Sequence, residues 1–164
     1  MAIWENYITQ GVNGWMYTGW NNPIYMNYVS SNVGSNMDFH AATYNSKWPN
    51  MPSWYHVYAE TNHFLGNGTN INTGSQGIPV SSWYYTEIYI NNDEFLLDSF
   101  SNAKAQGTIY HEMGHAFGLK HNNTNEYSIM CQSGGELEDG TQFSRQVETI
   151  QYTDNQAVVN LYGG

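Results

Sequence analysis

Eleven consecutive residues, from position 111 to position 121, constrain this chain more than any other part of its sequence. They read H-E-x-x-H-x-x-G-x-x-H, with His111 and His115 four residues apart. On a helix this spacing places both imidazoles on one face, one turn apart, where they can share one metal ion. Glycine adopts a left-handed conformation without strain, so Gly118 can end the helix and turn the chain. The turn would bring His121 towards the same ion as a third ligand.

The same segment contains a candidate general base. Glu112 lies beside His111 but points away from the two imidazoles, which leaves its carboxylate able to take a proton from a water molecule. Three neutral nitrogens leave the fourth position of a tetrahedral zinc ion open for that water, and an open position is typical of catalytic zinc. We therefore predict one catalytic Zn²⁺ held by His111, His115 and His121, with Glu112 activating the zinc-bound water.

A methionine follows nine residues after the third histidine, in the stretch Y-S-I-M-C. The extended motif followed by Met130 resembles the signature of the metzincin zinc peptidases. A bare H-E-x-x-H can also arise on an ordinary amphipathic helix with exposed histidines. The added glycine, third histidine and methionine argue against that interpretation.

Among the metzincins, the chain resembles the matrixins, the matrix-metalloproteinase-like branch, more than the others. Gly114 and Gly118 fit the matrixin form of the motif, and residues 154–163 are similar to the last matrixin helix. Asn122 follows the third histidine, where matrixins usually carry Ser or Thr. Gln132 stands where astacins and serralysins usually place a tyrosine, which argues against both of those branches.

The resemblance implies an α+β metzincin fold with a mixed, twisted sheet, an active-site helix and a C-terminal helix. It implies a zinc cleft between an upper subdomain, at about residues 1–118, and a lower one, at about 119–164. We expect residues 1–164 to form a single catalytic domain. The resemblance also implies that Met130 forms an apolar floor beneath the metal and that Asp154 braces the Met-turn from below.

Composition excludes two classes of partner. The 164 residues are 40% hydrophobic, which is enough to bury a core in one domain. Only 4 Lys+Arg face 14 Asp+Glu, for a formal net charge of −10, so we expect no binding to nucleic acid or to anionic membrane. No apolar run approaches the about 20 residues of a membrane span.

The compartment is a separate question, and cysteine usage does not answer it. Cys131 is the one cysteine, so no intrachain disulfide can form. The N-terminus lacks the basic and apolar stretches of a signal peptide, whereas enzymes of the resembled kind are normally made with a signal and a pro-segment. We expect a secreted, monomeric enzyme whose signal and pro-segment are absent from this chain, with a cytoplasmic enzyme as the alternative.

Local patterns predict the order of the elements. Alternating or β-rich runs favour strands, and small and apolar residues at helical spacing favour helices. We predict strands at 23–29, 54–60 and 82–91, a short helix at 38–44, a long loop at 62–77, the active-site helix at 102–119, and a last helix at 153–162.

Other metal sites are predicted from the resemblance. Many matrixins carry a structural zinc, and Tyr89 stands here in place of one of its histidines, so we predict no structural zinc of that type. Asn91 and Glu94 correspond to family calcium ligands. Because amide and carboxylate oxygens both bind calcium, Ca²⁺ is a candidate second ion, with an ordinary solvated loop as the alternative.

The resemblance also suggests how a polypeptide substrate would bind. Matrixins add the peptide as a strand along a sheet edge, for which residues 82–90 are the candidate. The segment after Met130 is the candidate wall of a side-chain pocket beside the zinc. Gly107, four residues before the motif, predicts a roomy pocket. An N-terminal group of tryptophans either packs in the core or forms an exposed aromatic surface for sugar or protein: Trp4, Trp15 and Trp20.

Two functions other than general proteolysis stay open. One is a zinc protease with a narrow target, which differs only in substrate. The other is a non-catalytic polysaccharide- or protein-binding module with a vestigial zinc site. Intact Glu112 disfavours the second, because a decayed enzyme is expected to lose its base early.

Overall fold

The computed structural model of the chain describes residues 2–52, 56–71, 76–79, 81–95 and 100–163. Three longer helices, two short helices and five strands form within these ranges. In chain order they are α1 (Ala2–Met16), β1 (Met37–Ala42), α2 (Tyr44–Lys47), β2 (Ala59–Phe64), β3 (Tyr85–Asn91), α3 (Asn92–Phe95), α4 (Asn102–Ala116), β4 (Gly135–Glu136), β5 (Gln142–Phe143) and α5 (Tyr152–Tyr162).

The main sheet is mixed, and its strands lie in the order β1-β3-β2. Strand β1 pairs parallel to β3, and β2 pairs antiparallel to β3. Ile88 and Ile90 on β3 are buried, because alternate residues of a strand face the same side of the sheet. The mixed α+β architecture is compatible with the predicted fold class. The division into an upper and a lower subdomain stays a prediction.

Strand β3 confirms the predicted strand at 82–91 from Tyr85 onwards, but the expectation that it lies at the sheet edge is wrong. It has a hydrogen-bonded neighbour on each side. One of its faces is buried and carries Thr86, Ile88 and Ile90, whereas most residues of the other face are half-buried. Among the described strands, β2 and β1 are the edges, so residues 82–90 are not the free edge along which a peptide could add.

Two predictions for the first third of the chain are wrong. The predicted helix at 38–44 is strand β1, because residues 37–42 pair over their whole length with β3, and such distant pairing overrides local helix preference. The predicted strand at 23–29 has no ladder partner in the part of the chain that the structure describes. Pro23 provides no N–H for one, and Tyr25 and Tyr28 are exposed.

The second predicted strand is displaced along the chain. Strand β2 begins at Ala59 and ends at Phe64, whereas the prediction was 54–60, of which residues 53–55 lie outside the described part. The predicted loop at 62–77 therefore starts at Leu65. Residues 72–75 of that loop also lie outside the described part.

Helix α1 has no counterpart in the sequence-based prediction. It packs on α4, and Gly11 allows the close approach: a Cβ there would lie 2.8 Å from side-chain atoms of Ile109 and Met113. Trp15 is fully buried and donates its indole N–H to the carbonyl of Tyr110 at 3.1 Å. The two buried N-terminal tryptophans, Trp4 and Trp15, therefore serve packing.

The two helices predicted from the motif and from the chain end are present. Helix α4 begins at Asn102 as predicted but ends at Ala116, three residues early, because the turn at Gly118 starts there. Helix α5 spans Tyr152–Tyr162. Among the described helices, none has the length and apolar character that a membrane crossing requires.

Candidate metal centre

Helix α4 carries the first two histidines of the motif on its buried face. Ser101 caps the helix, accepting a hydrogen bond from the amide of Lys104 at 3.2 Å. His111 is 6% exposed and His115 3% exposed. Because they are four residues apart, their imidazoles leave the helix in the same direction, as the spacing predicts.

The chain turns sharply after the helix and brings the third histidine back. Gly118 has φ +91°, a left-handed conformation that favours glycine. The amide of Gly118 donates to the carbonyl of His115 at 2.8 Å, and the amide of Leu119 to that of Gly114 at 2.9 Å. These bonds close the helix end and direct the following residues, including His121, back towards its face.

The three imidazoles converge on one point. His115 Nε2 lies 3.1 Å from His111 Nε2 and 3.1 Å from His121 Nε2. Zinc–nitrogen bonds of 2.0–2.1 Å at tetrahedral angles would put ligand nitrogens about 3.3 Å apart. Among the described residues, these three histidines form the one group of at least three His, Cys, Asp or Glu side chains whose ligand atoms all lie within 4.8 Å of one another, close enough to hold one metal ion.

Hydrogen bonds set the protonation of two of the rings. His111 Nδ1 donates to the carbonyl of Ile129, and His115 Nδ1 donates to that of Leu119, both at 2.8 Å. A carbonyl oxygen can only accept, so in the neutral rings Nε2 carries a lone pair. Burial lowers the pKa of His111 well below its usual value and that of His115 to about 3.

Lone pairs facing each other at this distance repel unless a cation lies between them. Neutral imidazole nitrogens suit zinc, and rings held by backbone carbonyls are typical of metal-binding histidines. The donor set therefore fits the predicted zinc ion.

Glu112 lies beside the trio and is itself buried. Its Oε2 accepts a hydrogen bond from the Thr61 hydroxyl, on strand β2, at 2.7 Å. Burial raises the pKa of the Glu112 carboxyl to about 7, and the bond from Thr61 opposes that rise. The carboxyl can therefore gain or lose a proton near neutral pH.

The Met-turn packs directly beneath helix α4. A Cβ at Gly114 would collide with Met130 Sδ, so only glycine allows this contact. Asp154, on α5, accepts hydrogen bonds from the Ser128 hydroxyl, from the Ile129 amide at 3.0 Å and from the Gln151 amide at 2.8 Å. The carboxylate thus holds the turn whose Ile129 carbonyl orients His111. The resemblance implied an apolar floor at Met130 and a brace at Asp154, and these roles stay predictions.

The histidines and Glu112 open into one cavity of about 480 Å³. Strand β2 and the residues before it form one wall, and helix α4 with the segment after the Met-turn forms the other. Thr61 and Arg145 line the cavity and were not among the predicted site residues. Arg145 is the single arginine of the chain, which is the one sequence signal that could have singled it out.

The prediction of a roomy pocket at Gly107 is wrong for the space beside that residue. A Cβ at Gly107 would collide with the carboxylate of Glu148. The space that a side chain at position 107 would need is therefore occupied by Glu148 and is not open to substrate. Glu148 in turn makes an ion pair with Arg145 at 2.8 Å.

The candidate calcium ligands are engaged with other protein groups. Asn91 donates to the carbonyl of Val57 at 2.8 Å and accepts from the amide of Asp93 at 3.0 Å. Glu94 accepts hydrogen bonds from the hydroxyl of Tyr44 at 2.6 Å and from the ring of His56 at 2.9 Å. These contacts give calcium no support, and its binding there stays a prediction.

The sequence pattern of one family, described as the dual-action HEIGH metallo-peptidase, matches residues 18–157, which is most of the chain. The motif reads His-Glu-Met-Gly-His here, so the buried Met113 stands where the family name has isoleucine, an apolar exchange. No curated protein and no solved structure matches the chain. With its triple-histidine cluster and a family match over most of its length, this chain belongs to the HEIGH metallopeptidases and is a zinc metallopeptidase.

Proposed function

We propose that this protein is a zinc-dependent endopeptidase in which Glu112 is the general base and acid. The observation that carries the proposal is the convergence of three imidazole nitrogens, two of them from buried rings, in one cavity with a buried carboxyl whose pKa is near 7. Such a carboxyl is matched to proton transfer at neutral pH. The resemblance to matrixins supports the roles proposed for Met130 and Asp154, and it is the basis for proposing a matrixin-like subtype.

Zinc, when bound by His111, His115 and His121, would supply an acidic water and polarise the carbonyl of the peptide bond. Glu112 accepts one proton from the water as the water oxygen bonds to the peptide carbon. It then delivers that proton to the amide nitrogen as the carbon–nitrogen bond breaks, which yields an amine and a carboxylic acid, and the acid ionises by losing the second proton of the water. Thr61 holds Oε2 of Glu112 during both transfers.

We propose that the polypeptide substrate lies along strand β2 and the residues that precede it. Residues 56–61 line the cavity, and within the described residues the outer side of β2 is paired near its end only, where the Ile71 amide donates to the His63 carbonyl at 2.9 Å. An extended peptide can add to such an edge through main-chain hydrogen bonds. We propose this edge as the peptide-binding strand in place of residues 82–90, which the sequence had suggested for that role. We further propose a monomeric enzyme that acts outside the cell, as enzymes of the resembled kind do.

A quenched fluorescent peptide library tests the proposal. We expect zinc-loaded protein to cleave internal peptide bonds, a chelator to stop cleavage, and added Zn²⁺ to restore it. Glu112→Gln should retain one zinc per chain and lose at least about 10³-fold in turnover. The matched control Glu138→Gln, at an exposed position, should keep full activity. Full turnover by Glu112→Gln would refute the mechanism, and specific binding of peptides without cleavage by the zinc-loaded wild type would favour a non-catalytic binding module.

A further inference from the structure

One wall of the active-site cavity is polar. Helix α4 and the segment after the Met-turn contribute four residues to it besides the motif: Thr108, Gln132, Ser133 and Arg145. Among the described residues that line the cavity, the apolar ones lie on or before β2: Met51, Val57, Tyr58 and Ala59. A hydrophobic side chain placed against the polar wall would separate these groups from water without replacing their hydrogen bonds, which is unfavourable.

Arg145 is the charged group of this wall. It is the single arginine in a chain of net charge −10, and its side chain is only 4% exposed. One guanidinium nitrogen, Nη2, donates to Glu148 Oε2 at 2.8 Å, while Nε is buried and has no hydrogen-bond partner among the described residues. A buried guanidinium with an unused donor is costly unless a ligand supplies the missing acceptor.

Glu148 supports Arg145 from outside the cavity. Its carboxylate occupies the space beside Gly107, and it does not line the cavity itself. Arg145 therefore lines the cavity while its guanidinium is held by a residue outside it.

We propose that Arg145 selects an acidic side chain, Asp or Glu, at the substrate position that follows the scissile bond. This inference rests on the proposed peptidase function. A guanidinium is planar and matches a carboxylate through two parallel hydrogen bonds, which a neutral side chain reproduces only in part. The acidic residue would supply the acceptor that Arg145 lacks.

The opposite wall carries Glu60 and His56. Both are engaged with other protein groups, and neither supplies the acceptor that Arg145 lacks. Glu60 accepts from the indole of Trp48 at 2.6 Å and lies 3.8 Å from Lys47 Nζ, so its charge is partly compensated. His56 is bonded to Glu94 at 2.9 Å. Among the described lining residues, Arg145 is thus the cation that is available to a substrate carboxylate.

Matched peptides test this preference in turnover. We would measure kcat/KM of the zinc-loaded wild type on quenched peptides that differ only after the scissile bond, as the pairs Asp against Asn and Glu against Gln, at about 0.15 M salt where exposed charges are screened. We expect the acidic member of a pair to be cleaved at least about tenfold faster. Equal rates, or faster cleavage of the neutral or apolar peptides, would overturn the proposal while leaving the peptidase function intact.

Variants link the preference to the guanidinium. Arg145→Met combined with Glu148→Gln removes both partners of the ion pair, so no unpaired charge is left behind, and should abolish the preference. Arg145→Lys should keep part of it. Lys120→Met removes the same charge from an exposed position next to His121 and should keep all of it. Zinc content and far-UV circular dichroism check that each variant is folded.

A binding measurement separates this proposal from the proposed function. Calorimetry with zinc-loaded Glu112→Gln should show the Asp peptide binding at least about tenfold more tightly than the Asn peptide, and Arg145→Met/Glu148→Gln should remove that difference. Preferential binding without cleavage by the wild type would mean that the pocket is as proposed and the peptidase function is not. If the wild type shows neither the preference nor cleavage, both proposals are overturned.

Discussion

The hydroxyl of Thr61 lies 2.7 Å from Oε2 of Glu112 and joins strand β2 to the active-site helix. Both side chains are buried, and the same hydroxyl is 3.0 Å from the carbonyl of Glu112. The bond stabilises the ionised carboxylate and fixes its direction. A residue fifty-one positions away in the sequence therefore positions the candidate base.

Thr61→Val should reduce turnover without displacing the metal. A hydrogen bond to a charged group contributes about 1.5–3 kcal/mol, which corresponds to a loss of about 10- to 150-fold in kcat. Because Thr61 lowers the pKa of Glu112, the acid limb of the pH profile should also move to higher pH. Kinetics as a function of pH, with zinc content determined in parallel, measure both effects. Thr61→Ser, which keeps the hydroxyl, should restore rate and profile, and a merely structural role for Thr61 would leave the profile in place.

Glu112→Gln should stabilise the zinc-free protein at neutral pH. Burial raises the pKa of this carboxyl from 4.5 to about 7, so the folded state resists ionisation more than the unfolded state does. Its contribution to stability is complete below pH 4.5 and is lost as the pH rises towards 7. The shift corresponds to about 3 kcal/mol. Urea unfolding of the zinc-free wild type and of Glu112→Gln should show that difference in unfolding free energy at pH 7 and almost none at pH 4. A constant difference across this range would mean that the effect is not ionisation.

Gly118→Ala should weaken zinc binding more than it weakens the fold. The residue has φ +91°, and a Cβ there would lie 3.2 Å from the ring of Trp83, so alanine strains the turn that delivers His121. The strain is about 1–2 kcal/mol. Gly140→Ala is the matched control, since Gly140 has φ +85° with no atom near its Cβ position. Similar unfolding losses with a lower zinc affinity in Gly118→Ala alone, measured by competition with a chelator, are the expected result.

Asp154→Ala should destabilise the protein and loosen the metal site together. It removes the acceptor for three donors, and each buried donor left unpaired costs about 1–3 kcal/mol. We expect a loss of about 3 kcal/mol or more in unfolding free energy. Zinc affinity should also fall, because the turn that bonds His111 is released. Asn160→Ala, an exposed change on the same helix, should alter neither quantity measurably. Unchanged zinc affinity in Asp154→Ala would separate the turn from the metal site.

The parts of the fold that could be predicted are those that depend on local spacing. Helix α4 and helix α5 follow from the periodicity of nearby residues and from a glycine at the helix end. Strand β1 could not be predicted in this way, because all six of its residues pair with β3, which lies about fifty positions later in the chain. Helix α1 was missed for a related reason. Its glycines lower local helix preference, and packing on α4 compensates for them.

The sequence by itself determined the chemistry of this protein: two histidines one helical turn apart, a carboxylate between them, and a glycine that returns a third histidine. Those relations are local, so backbone geometry alone brings the groups together. Only the tertiary structure decided what surrounds them. Thr61 on the carboxylate, Glu148 in the space beside Gly107 and Arg145 in the cavity wall come from distant segments, and their positions depend on how the whole core packs. The motif predicts the metal ligands and the candidate base, and the packing around it shapes the cavity that a substrate would enter.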